Sequence, residues 1–95
     1  MDIVERIKET KIVGIARKVP VGHIADMARA LYAGGIRNLE VTFNHSSPSC
    51  IPDAVASIEA IKLDLGDKML VGAGTVVTVE QTKAAHGAGA DFILS

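Results

Sequence analysis

Four short apolar runs punctuate the chain, at residues 12–16, 38–42, 69–73 and 92–94. Each is rich in Val, Ile or Leu and bounded by Gly, Asp or Lys, and none alternates cleanly between polar and apolar. Continuous runs of this kind predict strands covered on both faces, as in a parallel sheet. Helical stripes lie between them. Ile24, Met27, Ala28, Leu31 and Tyr32 recur at i, i+3, i+4, i+7 and i+8, a one-sided apolar face, and Gly34-Gly35 stops that helix. Ala54, Ile58, Ile61 and Leu65 form a second stripe, widened by Val55, with Glu59 and Lys62 off it and free to face water. Ser49 and Pro52 are its start signals. Thr78 followed by Gln81 predicts a capping box for a third helix over residues 79–86, with Gly87 and Gly89 closing it. Val4, Ile7 and Lys8 make a weaker leading helix.

The predicted order is α-β-α-β-α-β-α-β, an α/β chain of βαβ units with right-handed crossovers. A faint internal repeat runs through it. Ala33-Gly34-Gly35-Ile36-Arg37-Asn38-Leu39 resembles Gly87-Ala88-Gly89-Ala90-Asp91-Phe92-Ile93, and Lys11-Ile12-Val13 resembles Lys68-Met69-Leu70 at nearly the same offset. Either the chain is a doubled unit, or glycine-rich helix ends reuse the same turn chemistry. The strands recur about every 27 residues, so eight such units would need roughly 200 residues or more, the lower range of (β/α)8 barrels. The 95 residues hold four. They are therefore expected to be, as residues 1–95, half of such a domain, the last strand ending near Ser95. Four parallel strands standing alone need helices on both faces, or else an open barrel that exposes two edges.

Composition narrows the function. The formal net charge is −1 and aromatics are 3%, being Tyr32, Phe43 and Phe92. Neither a basic surface nor a stacking platform for nucleic acid is present. No apolar run reaches the ~20 residues of a membrane span. One cysteine, Cys50, excludes an internal disulfide, and an acidic start with no apolar leader points to the cytoplasm.

In parallel α/β folds the chemistry gathers at the carboxyl ends of the strands. Those positions hold Arg17 and Lys18, then Thr42, Asn44 and His45, then Gly74 and Thr75. Glu40 sits inside the apolar Leu39-Glu40-Val41, where a carboxylate is either paired, with Arg17 or Arg37, or tuned as a general acid/base. Arg17 is either a clamp for a carboxylate or phosphate, or a surface arginine. Gly72-Ala73-Gly74-Thr75 lets a ligand approach the backbone or makes a tight strand-to-helix turn. Val77 occupies the place of a third fingerprint glycine, so this is no dinucleotide motif. His23, His45 and His86 are scattered without metal-ligand spacing, and no metal site is expected. Cys50 reads as a packing residue.

Taken in order, Ile12-Val13-Gly14-Ile15-Ala16-Arg17, Gly34-Gly35-Ile36-Arg37-Asn38-Leu39-Glu40-Val41-Thr42, Val71-Gly72-Ala73-Gly74-Thr75-Val76 and Ala88-Gly89-Ala90-Asp91-Phe92-Ile93-Leu94-Ser95 resemble the amino-terminal half of the 2-keto-3-deoxy-6-phosphogluconate / 4-hydroxy-2-oxoglutarate aldolase family. The resemblance covers nearly the whole chain. It implies a (β/α)8 barrel of TIM type with this chain as its first four βα units. It also implies a class I aldolase of Entner-Doudoroff-type sugar-acid metabolism, without metal or other cofactor and usually trimeric. Such an enzyme cleaves a 2-keto-3-deoxy sugar acid to pyruvate and an aldehyde. It further implies Glu40 as the acid/base, Thr75 as a contact for the pyruvate carboxylate, and Arg17 facing the substrate's anionic groups, with Thr42, Asn44 and Gly74 beside them. Asn44 stands where the family often has an arginine, which favours a relative acting on a related sugar acid. The family's Schiff-base lysine lies on the sixth strand, beyond these residues. Lys11 and Lys68 precede strands, and Lys18 should point away from the face that carries Arg17. The chain alone is therefore expected to be inactive. The other readings are a non-catalytic half-barrel that assembles with itself or a partner half, and another phosphosugar barrel enzyme such as an epimerase.

Overall fold

The apolar runs become the strands of one parallel sheet. The computed structural model describes residues 12–94. Their elements are β1 (Gly14–Ala16), α1 (Val21–Ala33), β2 (Asn38–Thr42), α2 (Cys50–Leu65), a 3-10 turn at Gly66–Lys68, β3 (Leu70–Gly74), α3 (Val79–Ala88) and β4 (Phe92–Ile93). The leading helix expected around Val4, Ile7 and Lys8 lies outside the described residues. Strand order is β1-β2-β3-β4, each neighbour parallel. No described helix is long and apolar enough to cross a membrane.

Both predicted stripes face the core. Ile24 and Ala28 of α1 and Ala54, Ile58, Ile61 and Leu65 of α2 are buried, with Met27, Leu31, Tyr32 and Val55 packed half-buried around them. They meet Leu39, Val41, Val71 and Ala73 from the sheet, joined by Ala85 and Ala88 of α3. Neighbouring helices pack on one another, α1 on α2 and α2 on α3. An exposed Arg29–Asp64 ion pair at 2.8 Å also links α1 to α2, and Arg29 pairs with Asp26 within α1. At the start of β4, Asp91 accepts from the Lys62 ammonium (2.8 Å) and the Val71 N–H (2.9 Å) through one oxygen, Oδ2, which fastens α2, β3 and β4 together.

The other face of the sheet is open. Register aligns Ile15, Glu40, Gly72 and Phe92 in one row across the four strands. Ile15, mid-strand, is 56% exposed, so among the described residues nothing covers the β1 end of that row, while the Phe92 ring lies over Gly72. A doubly wound sheet would need a reversal of strand order and helices on both faces. This sheet has a monotonic order and neighbouring helices side by side, the arrangement of a singly wound sheet.

The two glycine-rich segments of the internal repeat share one turn geometry. Gly35 and Gly89 both have φ of +100°, a conformation that favours glycine. The residue after each donates five positions back, Ile36 to the Leu31 carbonyl (2.9 Å) and Ala90 to that of Ala85 (3.1 Å). Each closes a helix and starts a strand three residues on. Gly34 (φ −82°) carries no such conformation, and Gly87 lies within α3.

Two start signals act differently from their patterns. The Thr78 hydroxyl accepts from the Gln81 backbone N–H (3.0 Å), but the Gln81 side-chain oxygen Oε1 accepts from the Val77 N–H (2.9 Å) rather than returning to Thr78. Ser49 occupies the N-cap of α2 without a side-chain bond to the helix backbone; its hydroxyl donates to Asp53 (2.7 Å).

Candidate active site

The carboxyl ends of β1, β2 and β3 converge on a cleft of ≈ 130 Å³ lined by Arg17, Lys18, Thr42, Phe43, Asn44, His45 and Thr75. Four of the six expected site residues, Arg17, Thr42, Asn44 and Thr75, meet there. Glu40 and Gly74 lie on the strands that lead into it.

Glu40 and Gly74 are coupled by register. Glu40 pairs with Gly72, and Gly74 pairs with Thr42, so Gly74 lies one step closer to the cleft on the same face. The Glu40 side chain leans that way: a Cβ at Gly74 would overlap its Oε1 and crowd its Cδ and Cγ. A Cβ at Gly72 would likewise overlap the Phe92 ring. Both glycines lie within β3 rather than in the turn that follows it. They are strand positions kept bare so that side chains from β2 and β4 can lie across β3.

The ion pairs weighed for Glu40 do not form. Arg37 stacks on Tyr32 (3.8 Å from the ring centroid) and donates to the Tyr32 and Ile36 carbonyls (2.7 and 3.2 Å). Arg17 makes no ion pair among the described residues. Glu40 is half-buried, and its carboxylate accepts no hydrogen bond among the described residues. It is thus available to a ligand.

Lys18 overturns its expected orientation. Strand alternation would turn it away from Arg17, but β1 ends at Ala16 and Lys18 has φ of +58°, so the strand rule no longer applies. It borders the cleft beside Arg17 and also a second cleft of ≈ 230 Å³ between α1 and the start of α2. Asn44 borders both clefts; its Oδ1 accepts from the N–H (3.2 Å) and hydroxyl (2.6 Å) of Ser46, so part of it is spent on holding its own turn. Thr42 also borders both, and its buried hydroxyl has no partner among the described residues. Cys50 lines the larger cleft; burial first, then the Asp53 carboxylate, pushes its thiol above the usual range.

His45 is the residue the pattern missed. Its Nε2 lies 2.7 Å from the Thr75 carbonyl and its Nδ1 3.3 Å from Gln81 Nε2. The only signal in the sequence was its place just after β2, next to Asn44.

The family model for KDPG and KHG aldolase matches residues 3–95. The chain belongs to the KDPG and KHG aldolase family. It is 39% identical over 98% of its length to the 2-dehydro-3-deoxy-phosphogluconate aldolase of Treponema pallidum. It is 32% identical over the same share to that of Haemophilus influenzae, and 42% identical over 77% to the KHG/KDPG aldolase of Escherichia coli. These matches cover 41%, 41% and 31% of the relatives, so the chain spans about two-fifths of an aldolase of this family or less. The homologues are lyases by name, which agrees with an α/β chain whose polar groups gather at the strand ends.

Proposed function

We propose that these residues form the first four βα units of a (β/α)8 barrel, a class I aldolase that cleaves a 2-keto-3-deoxy sugar acid or 4-hydroxy-2-oxoglutarate to pyruvate and an aldehyde. The observation that carries this reading is the Glu40 carboxylate, unpaired among the described residues and leaning along the open face toward the cleft. A lysine amine from outside this chain attacks the C2 carbonyl; water leaves and an iminium forms, an electron sink for the next step. Glu40 takes the proton from the C4 hydroxyl, the C3–C4 bond breaks, and the aldehyde departs. The enamine left behind takes a proton at C3, and water releases pyruvate and the lysine. Thr75 faces the substrate carboxylate, Arg17 and Lys18 supply positive charge for anionic groups, and Thr42, Asn44 and Gly74 shape the wall. A homotrimer in the cytoplasm is part of the same reading.

Borohydride reduction with pyruvate tests it. The complete barrel is expected to trap one pyruvate on a lysine outside residues 1–95. Glu40→Gln should lower its kcat by roughly 10²–10⁴-fold. The 95-residue chain is expected to trap none, and an adduct on any of its lysines overturns the assignment.

The open face supports a second reading, a non-catalytic half-barrel that pairs with another half to cover Ile15 and the edges of β1 and β4. Its test is size in solution: a monomer with a cooperative melting transition counts against it.

A further inference from the structure

Thr75 is held where a β-branched residue rarely sits, at φ of +58°. Backbone bonds fix both flanks: Phe43 N–H donates to the Gly74 carbonyl (3.0 Å), and Val76 N–H donates to that of Leu94 (3.1 Å). The Thr75 carbonyl itself has a side-chain partner, His45.

The direction of that bond follows from a chain of donors. The Val77 N–H can only donate, so it makes Gln81 Oε1 the acceptor. Gln81 Nε2 is then a donor, and it faces His45 Nδ1. Nδ1 must accept, which leaves the ring proton on Nε2, aimed at the Thr75 carbonyl 2.7 Å away. Thr78 seats Gln81 by accepting its backbone N–H. The start of α3 thus sets the tautomer of a histidine on the β2 loop, and that histidine grips the residue after β3.

We propose that His45 is a positioning residue. As a neutral Nε2–H imidazole set by Gln81, it holds Thr75 in its left-handed conformation at the wall of the cleft. This rests on reading Thr75 as a substrate-facing group. Strained backbone of this kind persists only where its surroundings over-determine it, and His45 supplies the side-chain share of that constraint.

Nuclear magnetic resonance on the 95-residue chain tests the clamp. Long-range ¹H–¹⁵N spectra should show His45 protonated on Nε2 and bare on Nδ1. A positive φ brings an amide proton close to its own Hα, so Thr75 should give a strong intraresidue NOE. That NOE should weaken in His45→Phe and recover in His45→Gln, whose Nε2 can donate in the same place. In the complete barrel, His45→Phe should raise KM about tenfold with kcat nearly unchanged, and His45→Gln should restore most of it. An Nδ1–H tautomer, an NOE unchanged in His45→Phe, or an unchanged KM overturns the proposal. An inactive wild-type barrel overturns the aldolase reading instead, and the NOE and tautomer still decide the clamp.

Discussion

The Glu40 side chain lies across the bare Cα of Gly74, occupying the space where any other residue would place its Cβ. Gly74→Ala therefore pushes the carboxylate off its seat. The displaced atoms are the far end of a flexible chain, so the fold should lose little, about 1 kcal/mol. Aldolase turnover in the complete barrel should fall at least about tenfold, since small displacements of a reacting group are costly. Thermal melting and turnover measured on one preparation check this, and full activity at normal stability would show that the seat does not matter.

Asp91 serves Val71 N–H and Lys62 through one oxygen. Removing it strands a donor on a strand residue that is fully buried, so Asp91→Ala should cost about 1–3 kcal/mol. Lys62→Met removes only the ammonium of a side chain that is 20% exposed, and should cost less. Urea unfolding of the two variants checks the order.

Ile58 is fully buried and Leu63, five residues on in α2, is 91% exposed. Ile58→Ala should cost about 2–5 kcal/mol, and Leu63→Ala should stay within about 0.5 kcal/mol of wild type. Equal losses would mean that α2 does not pack on the sheet by the face described.

Burial, with help from Asp53, holds the Cys50 thiol above its ordinary range. A raised value favours the protonated form in the folded state, so that contribution to stability is complete at neutral pH. It fades as alkaline pH ionises the unfolded chain's thiol first. Iodoacetamide should alkylate Cys50 more slowly at pH 8 than it alkylates a free thiol, and unfolding in urea should abolish the difference. Alkylation at the free-thiol rate in the folded chain would contradict this.

The strands and helices among the described residues were legible in the pattern to within a few residues, because each depends on local periodicity. All four stripe residues of α2 are buried as predicted, and β2 matches its predicted run. The aldolase resemblance rested on short motifs in order, which is also local information. Boundaries slipped where tertiary contacts decide pairing. Residues 12 and 13 read as strand, but β1 begins at Gly14, the first residue in backbone register with β2.

The site divides the same way. Sequence alone determined that Arg17, Thr42, Asn44, Gly74 and Thr75 stand at or just past strand ends, and that Glu40 lies inside an apolar strand. The βαβ order puts them there, because each follows or closes an apolar run. Only the tertiary structure decided what those groups do to each other. Gly74 and Gly72 proved to be room for side chains from neighbouring strands, Arg37 went to Tyr32 instead of Glu40, and Lys18 turned toward the cleft. His45 gained its role from Gln81, thirty-six residues away. These outcomes depend on register and on which atoms meet across strands and loops, and periodicity along one chain carries no record of either.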